Sequence, residues 1–394
     1  MAEIHGVCAE EFRKVQETLS ASLDSGGDIG ASAAVFVDGE PVVDIWGGHV
    51  DEARTRPWER DTIVNMFSTT KTMTALCALL LADRGELDFD APVAKYWPEF
   101  AEAGKERVQV RHLLSHSDGL AGWNEKLVLE DLFDLEKITT LLARQAPWWA
   151  PGTASGYHPI SFGPLIGEVI RRITGRSLGT FFAEEIAKPL GADCHIGTGP
   201  ECDARVSKMI RSQAADDRSF KLGDKVIQPG SMDSFLERAY FNPHVSPDEA
   251  STIPWRRAEL GGSNGHGNAR SVALVQSILA NGGEARGVRL LSEAGCVRAL
   301  EVQTDGTDLM FGIPIRWGLG YALDSDFTEM AYGAQLRGHR VAYWAGSGGS
   351  FVINDLDLRM TIAFVMNKHV EAGGWDHRSV DIVKAAYDSQ AVAS

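Results

Sequence analysis

The chain has 394 residues, of which 44% are hydrophobic and 23% are charged, a composition typical of a soluble globular protein with one large domain or two. Lys and Arg number 38 against 54 Asp and Glu, so the formal net charge is −16 at pH 7. This acidity argues against nucleic-acid-binding proteins and against proteins that bind anionic membrane surfaces, because both need an excess of positive charge.

The N-terminus and the cysteines predict the cellular compartment. Residues 1–6 lack the basic start, the apolar stretch and the cleavage site of a signal peptide, and the chain has no apolar run of about 18 residues that would span a membrane. The five cysteines are widely spaced, and none belongs to a C-x-x-C pair, so neither a zinc site nor a disulfide framework is indicated. These features predict a cytoplasmic protein.

The first predicted elements are a helix and a β-hairpin. Apolar residues at helical spacing predict an amphipathic helix over residues 7–24. Two β-rich runs, residues 32–37 and 41–47, are joined at Asp38 and Gly39. An Asp-Gly dipeptide between two such runs predicts a tight hairpin turn.

The next predicted elements are helices. Residues 69–83 are almost wholly apolar and are followed by Gly85, which predicts a buried helix that ends at a glycine. The stretch from about residue 90 to 260 contains helical patterns at residues 131–144 and 160–174, broken by loops with Pro and Gly. Strand patterns are sparse in this stretch.

The last part of the chain returns to β-rich sequence. A helix is predicted over residues 272–279, a second hairpin over residues 350–354 and 360–367, and a closing helix over residues 377–387.

These patterns predict two domains. Residues 1–90 and 268–394 would form one α/β domain built from both termini, and residues 91–267 would form a mainly helical inserted domain.

Ser68 and Lys71 form an S-x-x-K motif at the start of the apolar helix. Residues three apart share a helix face, so the hydroxyl and the amine can meet. Burial lowers the pKa of a lysine, and a neutral amine can take the serine proton, while the helix dipole favours the negative charge that develops on the oxygen. One such motif is expected by chance in a chain of this length. Its position carries the hypothesis of a catalytic Ser68, since a lysine in an apolar helix needs a partner or a role.

A second serine, Ser263, lies in a G-x-S-x-G pattern. That pattern indicates a nucleophile when a strand directly precedes it and a helix directly follows it. Residues 254–259 lack the pattern of a buried strand, and residues 266–268 separate Ser263 from the next helix. We therefore interpret this segment as a glycine-rich loop, and a position at the border of the site stays open.

Two further segments are candidates for the site. Tyr157 lies on a polar loop before a helix. A tyrosine in such a loop is a surface or packing residue, or, beside a Ser–Lys pair, it shares the proton transfers as a phenolate or a hydrogen-bond relay. The sequence alone does not bring it near Ser68. Residues 344–350 are glycine-rich and precede an apolar strand; they form a plain turn, or an edge strand there offers a backbone N–H to an oxyanion.

The histidines and the absence of other motifs favour a site without a His-containing triad, a metal ion or a cofactor. His116 is interpreted as a structural residue that bonds its own loop in preference to a triad member, and His266 and His339 are left open. The chain contains no H-E-x-x-H, P-loop or G-x-G-x-x-G motif, so no metal ion and no cofactor is predicted.

Taken together, these segments resemble the class C β-lactamase-like serine hydrolases, and among them the family VIII carboxylesterases. The resemblance extends over almost the whole chain, and several ordered motifs carry it. They are residues 67–71, 84–88, 113–120, 151–157, 173–175 and 344–350. It implies an α+β fold of the β-lactamase-like type, with a mainly antiparallel sheet flanked by helices and an inserted helical domain.

The resemblance also implies roles for single residues. Ser68 matches the acylated nucleophile, Lys71 its general base, and Tyr157 the tyrosine that moves the proton to and from the leaving group. The backbone N–H groups of Ser68 and Ser347 match the oxyanion hole.

The third motif of these enzymes is W-x-G in the esterases, so Trp344, Ala345 and Gly346 would line the substrate pocket. Two departures from the β-lactamase pattern argue for esters. Pro159 replaces the Asn of the Y-x-N motif and offers no side-chain amide. Trp344 replaces the Lys that pairs with the carboxylate of a β-lactam, and it carries no charge.

The resemblance implies a carboxylesterase that hydrolyses short-chain acyl esters through a Ser68 acyl-enzyme. On the same site an amidase, a D-amino-acid-type peptidase, an acyltransferase and a weak β-lactamase side activity stay open, and a non-catalytic ligand-binding module is the alternative of another class. The expected partner is a small-molecule ester, without nucleic acid, membrane or cofactor. The oligomeric state is left open, a homo-oligomer included.

Overall fold

The computed structural model of the chain describes residues 2–212, 220–222, 225–227, 234–370 and 376–393. The α-helices are α1 (Arg13–Ser25), α2 (Thr70–Asp83), α3 (Val110–Leu114), α4 (Leu135–Arg144), α5 (Phe162–Thr174), α6 (Leu178–Phe182), α7 (Lys188–Leu190), α8 (Phe235–Phe241), α9 (Ile253–Arg257), α10 (Ala269–Ala280), α11 (Glu293–Arg298), α12 (Asp326–Tyr332) and α13 (His377–Ala393). The strands are β1 (Ile4–Cys8), β2 (Gly30–Val37), β3 (Glu40–Gly48), β4 (Ile63–Asn65), β5 (Cys194–Ile196), β6 (Val206–Ser207), β7 (Ile210–Arg211), β8 (Phe220–Leu222), β9 (Lys225–Ile227), β10 (Gly265–Gly267), β11 (Glu284–Ala285), β12 (Val288–Arg289), β13 (Thr304–Thr307), β14 (Pro314–Trp317), β15 (Ala322–Leu323), β16 (Val341–Ala345), β17 (Phe351–Asp355), β18 (Met360–Met366) and β19 (Lys368–His369). Within these described ranges, no helix is long and apolar enough to cross a bilayer.

The largest sheet has nine strands among the described residues, in the order β1-β3-β2-β18-β17-β16-β15-β14-β13, and every neighbouring pair is antiparallel. Three of its strands come from the start of the chain and six from its later part. The two groups meet where β2 pairs with β18, from Ala31 opposite Met366 to Val37 opposite Met360. The predicted antiparallel sheet flanked by helices is confirmed.

The centre of this sheet is covered on both faces. Every residue of β18 is buried, which requires apolar cover on each side because successive side chains of a strand point to opposite faces. Helix α10 packs along β2, β17 and β18, while α1 and α13 pack against each other and onto the same sheet. Helix α2 contacts α5, α6, α10, α11 and β16, so its buried first turns are held from several sides.

The first hairpin and the apolar helix are confirmed, and one predicted helix is wrong at its start. Asp38 and Gly39 form the turn between β2 and β3, with positive φ angles of 52° and 80°, and Gly85 follows α2 with a φ of 74°. The helix predicted over residues 7–24 begins only at Arg13, because residues 4–8 pair antiparallel with β3 as the edge strand β1. Strand pairing overrides the helical spacing of the apolar residues there.

A four-stranded sheet, β5-β10-β4-β6, supports the segment that leads into α2. Strand β10 pairs antiparallel with β4 and β5, and β4 pairs in parallel with β6. Its strands come from both predicted domains, since β4 belongs to residues 1–90 and the other three to residues 91–267. The division into two domains therefore stays a prediction.

Candidate active site

Ser68 lies at the turn between β4 and α2. The residue before it, Phe67, has a positive φ of 43°, a strained conformation for a residue with a side chain. The Met66 N–H donates to the Gly265 carbonyl at 2.8 Å and so ties this turn to β10. Ser68 is half-buried, whereas the first residues of α2 are buried. This serine is thus the accessible residue at a buried helix start.

Lys71 lies one helical turn further on and is almost fully buried, with 1% of its surface exposed. Its Nζ is 3.1 Å from Ser68 Oγ, 2.9 Å from the Pro159 carbonyl oxygen and 2.8 Å from the Gly262 carbonyl oxygen. Burial lowers the pKa of this amine well below its ordinary value of 10.5. A neutral amine has two N–H bonds and one lone pair. The two carbonyls can accept the N–H bonds, which leaves the lone pair for the serine proton.

Tyr157 lies on the loop before α5, and the structure brings it to Ser68. Its hydroxyl is hydrogen-bonded to Ser68 and accepts a hydrogen bond from Trp344 Nε1 at 3.1 Å. The Lys71 Nζ lies 4.8 Å from the centroid of its ring. Burial raises the pKa of the Tyr157 hydroxyl above its ordinary value of 10, so the group is a neutral phenol at pH 7.

Asp308 anchors Tyr157 and was not found from the sequence. It is fully buried in the loop after β13, and its carboxylate accepts hydrogen bonds from the N–H groups of Tyr157 (3.1 Å), Met310 (2.9 Å) and Phe311 (3.2 Å) and from Trp317 Nε1 (3.2 Å). These four donors converge on one side chain and fix the backbone of Tyr157. No motif surrounds this residue, so only the fold could identify it.

The G-x-S-x-G loop borders the site without the geometry of a nucleophile elbow. Helix α9 precedes Ser263 and strand β10 follows it, the reverse of the order that the elbow requires. Ser263 Oγ donates to the Pro159 carbonyl at 3.1 Å, and the adjacent Gly262 carbonyl holds Lys71. Pro159 thus contributes a backbone carbonyl where its side chain offers no amide.

The loop of residues 346–350 packs against the turn that carries Ser68. A Cβ on Gly346 would lie 2.1 Å from the Met66 carbonyl oxygen, so the close approach requires glycine. Ser350 Oγ donates to that same carbonyl at 2.8 Å and lies 3.0 Å from Thr69 Oγ1. Ser347 is the exposed residue of the loop. These contacts bring the segment of Ser347 against the segment of Ser68.

The strand before this loop is interior, so the edge strand considered from the sequence is wrong. Strand β16 lies between β15 and β17 in the sheet. Its pairing with β15 covers only Ala342 and Tyr343, so Trp344 and Ala345 extend beyond that short partner. The Trp344 ring packs 4.6 Å from the Trp317 ring, centroid to centroid. This aromatic wall carries no charge.

Two of the histidines considered from the sequence, His116 and His266, are buried and hydrogen-bonded to protein groups. His116 is buried, and its Nδ1 accepts the backbone N–H of His158 at 3.2 Å, so its ring bonds the loop after Tyr157 and not its own loop as the sequence predicted. Burial, with His158 and Lys71 nearby, holds the pKa of His116 well below 6.5. His158 in turn bonds the buried Asp118 at 2.9 Å. His266 Nδ1 bonds the Asn264 carbonyl at 2.8 Å.

Within the described ranges, one group has side chains close enough to share a metal ion: His339, Asp355 and Asp357. These residues already bind protein groups. His339 Nδ1 is 2.7 Å from Asp355, and the Tyr387 hydroxyl donates to Asp355 at 2.8 Å. The group stands at the end of β16 away from Ser68 and needs no ion to explain it.

The chain is similar to known proteins in sequence and in structure. A family model described as Beta-lactamase matches residues 15–387. The chain is 33% identical over 355 residues to the esterase/beta-lactamase LipL of Mycobacterium tuberculosis, which covers 88% of this chain and 79% of LipL. A solved family VIII carboxylesterase is 38% identical with a TM-score of 0.88, covering 98% of this chain and 100% of that one. A penicillin-binding protein homolog from Caulobacter crescentus is 37% identical, with a TM-score of 0.89 and the same coverage.

Proposed function

Since the chain belongs to the Beta-lactamase family, we propose that this serine hydrolase is a carboxylesterase that cleaves short-chain acyl esters through an acyl-enzyme on Ser68. The observation that carries the proposal is the buried Lys71 amine, 3.1 Å from Ser68 Oγ, with two backbone carbonyls on its N–H groups. That arrangement suits a base and not a structural ion pair.

Acylation begins at the Ser68–Lys71 pair. Ser68 Oγ attacks the ester carbonyl carbon while its proton passes to Lys71 Nζ. The carbonyl oxygen becomes an oxyanion, which the N–H groups of Ser68 and Ser347 stabilise. When the C–O bond to the alcohol breaks, the alkoxide takes the Tyr157 hydroxyl proton, and the Lys71 ammonium returns a proton to Tyr157. The raised pKa of Tyr157 suits a relay and disfavours a standing phenolate base.

Deacylation reverses these roles. Water attacks the acyl carbon, and its proton passes through Tyr157 to Lys71. The tetrahedral intermediate collapses with the Ser68 oxygen as leaving group, and Ser68 recovers its proton from Lys71. The acid leaves and the neutral amine is restored.

The site favours neutral esters. Trp344 packs with Tyr157 and Trp317 in an uncharged wall, with ring centroids 5.1 Å and 4.6 Å from its own. Trp344 offers no positive charge to the carboxylate of a β-lactam, and Pro159 offers no amide side chain. Turnover of an ester and of the matching anilide separates the esterase from the amidase and peptidase alternatives. Turnover of the ester with an added alcohol tests the acyltransferase alternative, and turnover of nitrocefin tests β-lactamase side activity.

The Ser68→Ala variant tests the nucleophile. We expect kcat/KM for p-nitrophenyl butyrate to fall by about 10⁴-fold or more, because a hydrolase without its nucleophile retains little turnover. A fluorophosphonate should label wild type on Ser68, as mapped by mass spectrometry.

The matched control is Ser263→Ala, which should keep the label on Ser68 and most of the turnover. Wild-type activity in Ser68→Ala, or a label on Ser263, would sink the assignment. A wild-type protein without any label would instead favour a non-catalytic binding module.

The proposal includes a cytoplasmic location. All five cysteines are free thiols, and Cys8 alone is not buried. Free thiols persist in a reducing compartment. Fractionation of the source cells with an antibody against the chain tests this, and recovery outside the cytoplasmic fraction would contradict it.

A further inference from the structure

His369 lies beside the loop that carries Ser347, although no motif pointed to it. It belongs to β19, which pairs in parallel with β7, and its carbonyl accepts the Ser212 N–H at 3.1 Å. The next residue, Val370, donates its N–H to the Gly348 carbonyl at 3.4 Å. The backbone of residues 369–370 is therefore tied both to a neighbouring strand and to the loop.

The imidazole of His369 contacts Ser347 and the residue that precedes Ser68. Its Nε2 is 2.8 Å from Ser347 Oγ. Its ring meets the Phe67 ring edge-on, with 5.5 Å between centroids, directly before Ser68. A Cβ on Gly348 would lie 2.7 Å from His369 Cδ2, so the loop can cover the imidazole only with glycine there.

The surroundings of His369 keep it uncharged. Burial and the nearby charges of Arg378 and Arg211 lower its pKa to about 4, so it is neutral at pH 7. Arg378 donates to the Gly348 carbonyl and to Asp28, each at 2.6 Å, and therefore holds the far side of the same loop. The hydrogen bond to Ser347 is made by a neutral, immobilised ring.

We infer that His369 is a positioning residue that fixes Ser347 through its Oγ and so aims the Ser347 backbone N–H at the substrate oxyanion. His369 itself touches no reacting atom. The inference rests on the proposed function, in which that N–H is one of two oxyanion donors. Removing a whole donor lowers kcat by about 10²–10³-fold, so releasing its anchor should lower kcat on the order of 10-fold.

A pair of amide substitutions tests this inference. In His369→Gln the amide nitrogen reaches about as far as Nε2 and can still meet Ser347, whereas the shorter His369→Asn cannot. We expect His369→Asn to lower kcat for p-nitrophenyl butyrate about 10-fold at unchanged KM, as for an interaction made only in the transition state, and His369→Gln to recover most of it.

A double-mutant cycle with Ser347→Ala assigns the effect to the Oγ contact. We expect Ser347→Ala to be similarly slow, and the double variant Ser347→Ala/His369→Asn to be no slower than either single variant. His339→Asn, at the other end of β16, serves as the control and should keep wild-type kcat. Thermal unfolding of each variant checks that the fold is retained.

Each contrary result has a separate meaning. A wild-type kcat in His369→Asn, equal losses in the Asn and Gln variants, a change in KM alone, or multiplied effects in the double variant would overturn the inference while leaving Ser68 as nucleophile. Activity in Ser68→Ala would instead overturn the proposed function.

Discussion

The two halves of this site differ in how the chain assembles them. Ser68 and Lys71 lie one turn apart at the start of α2, and their 3.1 Å contact follows from local helix geometry. Tyr157 and the loop of Ser347 come from distant segments, and only the folded chain brings them to the nucleophile.

Different interactions hold the two halves. Backbone carbonyls of Pro159 and Gly262 hold Lys71 within the packed surroundings of α2. Asp308 holds Tyr157, and Arg378 and His369 hold the Ser347 loop. The local half supplies the nucleophile and its base, and the distant half supplies proton relay and charge stabilisation. Substitutions in the local half should abolish turnover, and substitutions in the distant half should reduce it.

After the loss of the nucleophile itself, the largest expected effect is at Lys71. Lys71→Ala should lower kcat/KM by about 10³-fold or more, because the serine loses its base. Lys71→Arg should be equally inactive, since a guanidinium is not deprotonated in proteins.

The role of Lys71 as a base also predicts how kcat/KM depends on pH. The lowered pKa of Lys71 means that wild-type kcat/KM rises as the amine loses its proton and reaches its plateau well below pH 10.5. An active Lys71→Arg variant, or an alkaline rise centred near pH 10.5, would contradict a neutral-amine base.

Much of the fold was predictable because its signals are local. The Asp38-Gly39 turn, the apolar residues of α2 and the hairpin of β17 and β18 each have a pattern of a few residues. The start of α1 was not predictable, because β1 forms only when β3 lies beside it. The strands of the four-stranded sheet have two or three residues each, too few for a periodic pattern.

The site divides in the same way. The S-x-x-K motif identified Ser68 and Lys71 as candidate site residues. Tyr157 and Trp344 were identified by the resemblance to a known family and not by their spacing. Asp308 and His369 carry no motif, since their roles depend on hydrogen bonds between segments far apart in the chain. The Lys71 partners at Pro159 and Gly262 are backbone carbonyls, which every residue has, so side-chain identity could not reveal them.

A smaller effect is expected for Tyr157→Phe, which keeps the ring and removes only the relay. For ethyl butyrate we expect kcat to fall about 10²-fold, because the ethoxide must be protonated as it leaves. For p-nitrophenyl butyrate the acylation step should fall much less, since p-nitrophenolate leaves without a proton. Pre-steady-state bursts separate acylation from deacylation. Equal losses of acylation with both esters would mean that Tyr157 does not serve the leaving group.

The smallest effect is expected for Asp308→Asn, which alters the anchor of Tyr157 and no reacting group. The amide keeps one acceptor oxygen but turns its N–H₂ towards donors, so we expect the free energy of unfolding to fall by about 1–3 kcal/mol. Turnover should fall on the order of 10-fold as Tyr157 loses its alignment. Fluorophosphonate labelling needs Ser68 and Lys71 but no proton for its fluoride leaving group, so the labelling rate should stay close to wild type. A labelling rate that falls as far as turnover would show that Asp308 also supports Ser68 and Lys71, and the two halves would then act as one unit.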